Sequence, residues 1–249
     1  MTVDNPYDDP DQAELYDLEN PWGACDDYYL RLMTAAESVL DIGCGTGTLL
    51  AAARRDGHPG ELVGVDPAGA MLAVAAAKTT EVSWHRATAE ELRLGRRFDL
   101  ITMTGHAFQV LLDDDAIRAA LATFRAHLAP NGRIVFETRN PTARAWDVWD
   151  AAPPSTVEVP DGRAYRVDYD VIAERGELVE FAENMVWDSG ETVRNVATLR
   201  FASLERLTEL LTESGLAVDH VHGAWDSSPV TPTSPELIIT AHVPDTAKR

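Results

Sequence analysis

From residue 38 to about residue 137, short apolar runs alternate with segments in which apolar residues recur at helical spacing. The apolar runs are typical of buried strands: SVLDIG, ELVGVD, EVSWH, FDLITMT and GRIVFE. The clearest helical segment begins after Asp113, a residue type that often caps a helix. Alternating strands and helices predict a parallel sheet with right-handed crossovers and helices on both faces.

A different pattern follows the fifth strand. Three stretches, at 164–172, 177–188 and 191–202, alternate apolar and polar residues, and glycine-containing turns separate them. They predict an antiparallel meander with one face in water. The α/β pattern then resumes with a helix that Ser203 begins and Gly215 ends. The last two predicted strands are LAVDHVHG and ELIITAHV.

Composition narrows the possible partners. The chain has 249 residues, enough for one large domain, and a formal net charge of −20. A surface of that sign repels nucleic-acid phosphates and anionic membranes, so we expect neither as a partner. No apolar run approaches the ~20 residues of a membrane span, and no leader pattern opens the chain. We therefore expect a cytoplasmic protein with Cys25 and Cys44 unpaired.

The turn after the first strand, VLDIGCGTGTLL, points to a ligand that the backbone approaches closely. Its glycines are Gly43, Gly45 and Gly47. A P-loop needs a Lys-Ser/Thr pair after its last glycine, but Thr48 and Leu49 follow here. A dinucleotide fingerprint would place its third glycine at Thr48. Neither phosphate-binding motif fits this turn.

Two carboxylates accompany the turn. Asp66 ends the second strand about 20 positions after Gly43, where a carboxylate can accept hydrogen bonds from ribose hydroxyls. Asp41 lies two residues before Gly43; it would crowd a pyrophosphate but suits an ammonium group. S-adenosylmethionine has ribose hydroxyls, an amino-acid tail and no phosphate, so these features favour it. An oxidoreductase that binds a dinucleotide remains a distant alternative.

Four segments in order resemble the motifs of the class I S-adenosylmethionine-dependent methyltransferases: VLDIGCGTG, GVDPAGAML, FDLITMTGHAF and HLAPNGRIVFE. The resemblance covers residues 38–139 closely and 203–249 by topology. It implies an α/β, Rossmann-like, seven-stranded and mostly parallel sheet of order 3-2-1-4-5-7-6, whose seventh strand is antiparallel. The meander would be inserted after strand 5. It also implies S-adenosyl-L-methionine as cofactor and S-adenosyl-L-homocysteine as product, and we expect no metal ion.

The same resemblance divides a single methyltransferase domain, residues 1–249, into four parts. Residues 1–37 form an N-terminal cap, and 38–139 form the cofactor-binding core. Residues 140–202 form a lid insertion with a helix and the meander, and 203–249 hold the last helix and two strands. We expect the cap and the meander to cover the cofactor and to be more mobile without it.

The resemblance assigns cofactor roles residue by residue. Asp41 would hold the methionine amino group, and Asp66 would bind the ribose hydroxyls. Pro67 and Met71 would pack on the adenine. Thr88 stands where many members have Asp, so its contact with the adenine amino group would be weaker. The complete implied set is Asp41, Gly43, Gly45, Gly47, Asp66, Pro67, Met71, Thr88, Ala89 and Thr104.

Substrate candidates follow from the rule that ligands of open α/β sheets bind outside the carboxyl ends of the strands. His106 follows the fourth strand and can take a proton from a nucleophile at neutral pH; Tyr16 is the second catalytic candidate. Arg139 can bind a carboxylate through two parallel hydrogen bonds; the alternative is that it pairs with Glu137. For His106, the alternative is a purely structural role. The substrate-binding candidates are Tyr16, Trp22, Gln109, Glu137, Arg139, Asn140 and Trp225.

Three short segments, AELYD, GHAF and TRNP, resemble patterns of small-molecule N-methyltransferases that act on amino sugars and on glycine. His106 replaces an asparagine of the glycine pattern, which argues for another substrate. We therefore interpret the protein as an enzyme that methylates a nitrogen or oxygen of a small soluble molecule. A methyltransferase acting on protein or RNA and a non-catalytic S-adenosylmethionine-binding protein are the alternatives. The charge opposes the first, and the retained glycines and Asp66 oppose the second.

Overall fold

The computed structural model describes residues 6–244. Its helices are α1 (Pro10–Glu19), α2 (Ala24–Thr34), α3 (Thr48–Arg55), α4 (Gly69–Lys78), α5 (Asp114–His127), α6 (Ala145–Ala151) and α7 (Leu204–Glu213). Its strands are β1 (Ser38–Ile42), β2 (Glu61–Asp66), β3 (Ser83–Arg86), β4 (Phe98–Met103), β5 (Leu128–Arg139), β6 (Ser155–Glu158), β7 (Ala164–Arg175), β8 (Leu178–Trp187), β9 (Thr192–Arg200), β10 (Ala217–His222) and β11 (Glu236–His242). Short 3₁₀ helices lie at Pro6–Asp8, Ala107–Val110 and Pro141–Ala143.

The main sheet has the order β3-β2-β1-β4-β5-β11-β10. Strands β1 to β5 pair in parallel, whereas β11 is antiparallel to both β5 and β10. Counted as seven strands, this is the predicted order 3-2-1-4-5-7-6 with an antiparallel seventh strand, so the fold prediction is confirmed. The order reverses between β1 and β4, and such a switch point is where an open α/β sheet binds its ligand.

Helices cover both faces of the main sheet because successive strand residues point to opposite sides. Leu40 packs in the apolar cluster that includes α5 and α7, and its neighbour Val39 packs in the cluster that includes α2 and α3. Asp113 caps α5 by accepting from the Ala116 amide at 2.8 Å, and Ser203 caps α7 in the same way. Among residues 6–244, no helix has the length and apolar character that crossing a membrane requires.

The predicted meander is present as a second antiparallel sheet, β6-β7-β8-β9. Strand β6 was not predicted, because four residues are too few to show a clear alternation. The two faces of this sheet differ. One is mostly apolar and holds Tyr165, Val167 and Met185, whereas the other carries a hydrogen-bonded polar group with Asn184 and Arg194. The alternation in the sequence thus matches one packed face and one wet face.

The predicted N-terminal cap region contains α1 and α2, of which α2 packs in the core cluster with β1 and α3. Helix α1 lies between the main domain and the meander. Its Ala13 packs on Met71 of α4, and its Leu15 packs against Tyr165 and its apolar neighbours in the meander. The Tyr165 hydroxyl also donates to Glu19 at the end of α1, at 2.5 Å. Helix α1 therefore connects the meander to the main domain.

Candidate active site

The turn after β1 adopts a conformation that only glycine adopts easily. Gly43, Gly45 and Gly47 have φ values of +71°, +52° and +68°. A Cβ on Gly47 would lie 2.4 Å from the Trp84 ring, whereas the nearest neighbour of a Cβ on Gly45 would be the Tyr16 ring, at 3.9 Å. Gly47 thus allows close packing within the protein, and Gly45 leaves room beneath Tyr16, where a ligand can approach the backbone.

Asp66 fixes the turn and keeps capacity for a ligand. Its carboxylate accepts from the Gly45 amide at 2.8 Å and from the Ala68 amide at 2.9 Å, one on each oxygen. A carboxylate has about four acceptor positions, so positions remain for two ribose hydroxyls. Burial raises the pKa of Asp66, and the two amide donors oppose that shift.

Asp41 is a buried carboxyl in the middle of the switch point. It is 1% exposed, and one of its oxygens accepts from the Thr102 hydroxyl on β4 at 2.7 Å. Burial raises its pKa to about 7, and the neighbouring charges of Glu137 and Asp66 are both negative. An ammonium group beside it would favour its ionised form. The residues at this end of the sheet therefore fit S-adenosylmethionine, which has an ammonium group and two ribose hydroxyls.

The residues predicted for the adenine lie next to Asp66. The Ala87 amide donates to the Asp66 carbonyl at 3.2 Å, so the segment with Thr88 and Ala89 follows β3 beside β2. Met71 is buried against α1, and it contributes to packing as well as to the predicted adenine wall. Pro67 is exposed, Ala89 is buried, and Thr88 and Thr104 are half-buried.

The cap helix α1 is attached to the glycine turn through Asp17. Its carboxylate accepts from the Thr46 hydroxyl at 2.5 Å and from the Thr48 hydroxyl at 3.1 Å. Asp17 also forms an ion pair with Lys78 of α4. Because Tyr16 lies over Gly45 in the same helix, these contacts hold the Tyr16 ring above the turn. Movement of α1 would therefore expose the glycine turn.

His106 lies between two carboxylates at the carboxyl end of β4. Its φ is +59°, and its backbone amide donates to Glu137 Oε1 at 2.8 Å. Its ring Nε2 is 2.9 Å from Glu236 Oε2. The Tyr29 hydroxyl donates to the other oxygen of Glu137, which is fully buried. His106 is therefore fixed through both its backbone and its ring.

Arg139 is the last residue of β5. Within residues 6–244, its ion-pair and hydrogen-bond partners do not include Glu137, the alternative partner named above. Its Nη1 donates to Gln109 Oε1 at 2.9 Å, and its guanidinium lies 5.0 Å from the Trp149 ring centroid. The acid directly opposite it is Glu236, across the antiparallel β5–β11 pair. Burial lowers the pKa of Arg139, and the carboxylates of Glu236 and Glu137 oppose that shift.

Other predicted substrate residues serve the scaffold in this structure. The Asn140 amide nitrogen donates to the carbonyls of Thr231 and Ser234, and its oxygen accepts from Thr142, so its hydrogen-bonding groups are taken up by the loop. Trp225 packs on Tyr28 and Tyr29, behind Glu137. Trp22 is 41% exposed, donates to Asp27, and borders a cleft with α3 and α4 away from His106.

Several residues of the site were missed at the sequence level. Glu236 begins β11, and an antiparallel last strand brings its first residue to the carboxyl ends of β4 and β5. The expected topology therefore contained the signal for Glu236. Thr102 was detectable as the residue across from Asp41 on β4. Asp17 and Tyr29 had no such signal, because their partners are distant in the chain, at separations of 29 and 108 residues.

Comparisons with known proteins agree with this geometry. A family model described as a methyltransferase domain matches residues 39–132. Over 192 residues, the chain is 29% identical to the dTDP-3-amino-3,4,6-trideoxy-alpha-D-glucopyranose N,N-dimethyltransferase of Streptomyces venezuelae, with 76% of this chain and 78% of that protein covered. It is 32% identical over 135 residues to the dTDP-3-amino-3,6-dideoxy-alpha-D-glucopyranose N,N-dimethyltransferase of Streptomyces fradiae, with 50% of this chain and 52% of that protein covered.

A solved structure shares the fold over nearly the whole chain. It is an amino pentose methyltransferase from Micromonospora echinaspora with S-adenosylmethionine bound, superposed with a TM-score of 0.69 at 23% identity. The superposition covers 91% of this chain and 95% of that one. The matched domain contains the glycine turn, Asp41 and Asp66, which together fit the same cofactor. With a methyltransferase domain at residues 39–132 and this similarity to N,N-dimethyltransferases, the protein is an S-adenosylmethionine-dependent methyltransferase, and S-adenosylmethionine is its methyl donor.

Proposed function

We propose that the enzyme methylates the amino nitrogen of a small polar molecule, with an amino sugar as the substrate class. The observation that carries this proposal is the His106–Glu236 pair at the end of β4, beside the switch point and beneath a cover made of α1 and the meander. A covered site favours a small substrate over a protein or RNA. The two curated relatives are named for methylation of amino sugars, which supports the choice of nitrogen.

The reaction is an in-line displacement. S-adenosylmethionine supplies a methyl group that its sulfonium already activates. An amine attacks through its lone pair, so a protonated amine must lose a proton before the transfer. With Nε2 of His106 held by Glu236, Nδ1 is the ring atom available to take that proton. Glu236 then stabilises the imidazolium, and Glu137 keeps the backbone of His106 in place.

The rest of the site would bind and orient the substrate. Arg139 offers donors to a hydroxyl, carbonyl or carboxylate of the substrate, and Gln109 fixes its direction. Tyr16 covers the glycine turn, and its hydroxyl points toward Gly105 just before His106. Closure by α1 and the meander would exclude water from the transfer.

We also propose a small-molecule partner and neither nucleic acid nor membrane, which the net charge of −20 supports. Cys25 and Cys44 are both free thiols, which favours a cytoplasmic location.

The test is methyl transfer to matched acceptors. The protein is incubated with S-adenosylmethionine and an amino sugar, its N-monomethyl derivative, its dTDP-linked form, or the same sugar with a hydroxyl in place of the amine. Mass spectrometry then locates the methyl group. The proposal predicts methylation at nitrogen, and none of the hydroxyl analogue. Methylation of the hydroxyl analogue, or of protein or RNA but no sugar, would contradict it.

A further inference from the structure

A single row of polar side chains crosses the inner, mostly apolar face of the meander. In the strand register, Tyr169 of β7 lies opposite Glu183 of β8, and Glu183 lies opposite Asn195 of β9. Residues directly opposite in antiparallel strands share a face, so these three form one row. The rows on either side contain apolar residues: Val167, Met185 and Val193 on one side, and Val171, Phe181 and Ala197 on the other.

Both oxygens of Glu183 are held within this row. Oε1 accepts from the Tyr169 hydroxyl at 3.1 Å, and Oε2 accepts from the Asn195 amide at 3.2 Å. A carboxylate among apolar side chains costs free energy, which these two bonds offset in part. About two of its acceptor positions remain, one on each oxygen. Glu183 is therefore a fixed acceptor for two adjacent donors.

Aromatic contacts place this row above the end of β5. Arg139 lies over Trp149, whose ring centroid is 5.3 Å from that of Phe181. The Phe181 ring is in turn 6.2 Å from that of Tyr169. The row is thus connected to the Arg139 guanidinium through the Trp149 and Phe181 rings.

The cap joins the row to the cofactor side. The Asn195 amide also contacts the Gln12 side chain of α1, at 3.4 Å. The Tyr16 ring of the same helix lies over Gly45 of the glycine turn. The row with Glu183 is therefore connected on one side to the helix that covers the turn and on the other side to Arg139 at the end of β5.

Building on the proposed methylation of a small amine, we propose that Glu183 is a substrate-binding residue that selects acceptors with two adjacent hydrogen-bond donors. A sugar diol presents such donors, and so does a second ammonium group. Tyr169 and Asn195 are positioning residues that orient the Glu183 carboxylate. Because the rows on either side are apolar, Glu183 is the carboxylate of this face that can accept hydrogen bonds from a substrate. An amine without additional donors cannot use it and binds weakly.

The test compares Glu183→Gln with Glu180→Gln. Glu183→Gln keeps the shape of the side chain but removes its negative charge and half of its hydrogen-bond acceptor positions. The second makes the same change on the opposite face of β8, where Glu180 lies 3.5 Å from Arg175. With an amino sugar as acceptor, Glu183→Gln raises KM about 10- to 100-fold, the effect of losing charge-assisted hydrogen bonds. Its kcat and its affinity for S-adenosylhomocysteine stay close to wild type, and Glu180→Gln changes none of these.

Two further measurements test whether Tyr169 positions Glu183 and which substrate group donates to Glu183. Tyr169→Phe keeps the ring and removes one donor to Glu183, so KM rises by less than in Glu183→Gln while kcat is kept. An analogue lacking one of two adjacent hydroxyls loses affinity in wild type but not further in Glu183→Gln, if the diol is the bound group. If that loss is the same in both proteins, the ammonium group is the donor.

The inference and the proposed function fail in different ways. Methylation of the amino sugar with a wild-type KM in Glu183→Gln, or an equal rise in Glu180→Gln, overturns the inference alone. Absence of methylation of any amine overturns the proposed function. In that case the same amino sugar is titrated calorimetrically into the protein saturated with S-adenosylhomocysteine. Binding that Glu183→Gln weakens supports the inference, and the absence of binding overturns it.

Discussion

The two halves of the active site are held by different kinds of contact. The cofactor half consists of the glycine turn with Asp41 and Asp66, and backbone groups of neighbouring strands hold it. The Gly43 amide donates to the Val65 carbonyl at 2.7 Å, and the Gly45 amide donates to Asp66, 21 positions along the chain. The glycine turn therefore forms once β1, the turn itself and β2 are in place.

The substrate half is held by side chains that are distant in the chain. His106 and Glu236 are 130 positions apart, Tyr29 and Glu137 are 108 apart, and Glu19 and Tyr165 are 146 apart. These pairs form only when the cap, the meander and the last strand have all docked. The comparison indicates that the glycine turn depends on contacts between neighbouring strands, whereas the proposed acceptor site depends on the assembly of the whole chain.

The largest effect is expected from a substitution at Gly47, in the cofactor half of the site. Gly47→Ala requires a positive φ and places a Cβ 2.4 Å from Trp84, so we expect a loss of about 2–5 kcal/mol in the free energy of unfolding. Gly45→Ala meets no such overlap and should lose only about 1–2 kcal/mol from its φ. Urea denaturation without cofactor measures both. Equal losses in the two variants would show that packing against Trp84 does not matter.

The next effect concerns His106, in the substrate half. His106→Asn keeps a residue that tolerates a positive φ but removes the proton acceptor. We expect turnover to fall about 100-fold or more, with little change in the affinity for S-adenosylhomocysteine. Initial rates and calorimetry on the same preparation test this. Normal turnover would remove His106 from the mechanism and leave Tyr16 as the remaining catalytic candidate.

A third effect is the pH dependence of cofactor binding through Asp41. Its pKa in the folded protein is about 7, so the carboxyl is mostly neutral below that pH and must lose a proton to pair with the cofactor ammonium. The affinity for S-adenosylhomocysteine should therefore rise by up to about tenfold per pH unit below pH 7 and then level off. Calorimetry across this range, with Asp41→Asn as the variant that removes the dependence, measures it. The same slope in both proteins would assign it to another group.

Asp41 also predicts the direction of a stability change. Because its pKa is raised above the unfolded value, its contribution favours the folded state at low pH and is lost as pH rises through about 7. Bound cofactor should reverse this trend, since the ammonium group stabilises the ionised form. Denaturation of wild type and Asp41→Asn with and without S-adenosylhomocysteine tests the sign.

The smallest effect is at the attachment of α1. Asp17→Asn removes the ion pair with Lys78 and weakens the contacts to Thr46 and Thr48. Asp17 is partly exposed, so we expect the affinity for S-adenosylhomocysteine to fall only about two- to fivefold. Hydrogen exchange of α1 should increase. Glu14→Gln, on the exposed side of the same helix, is the matched control. Unchanged exchange in Asp17→Asn would show that α1 is held by packing alone.

The cofactor half could be predicted from the sequence better than the substrate half. The sheet order, the glycine turn and Asp66 were predictable because strand periodicity and turn chemistry are local. The role of Asn140 was not, since its position after β5 fits a substrate ligand as well as an anchor for the loop with Thr231 and Ser234. Glu183 alternates with Phe181 and Met185, so its face of β8 was predictable, but its contacts with Tyr169 and Asn195 depend on the register of three strands, which alternation does not fix.

The most direct test of the account is calorimetric titration of wild type and Asp66→Ala with S-adenosylhomocysteine and with NAD(P). The account predicts that S-adenosylhomocysteine binds wild type and that NAD(P) does not. Asp66→Ala should weaken binding by about 1.5–3 kcal/mol for each charge-assisted ribose hydrogen bond lost. Preference for a dinucleotide, or undiminished binding of S-adenosylhomocysteine to Asp66→Ala, would contradict the assignment of the glycine turn and its carboxylates to this cofactor.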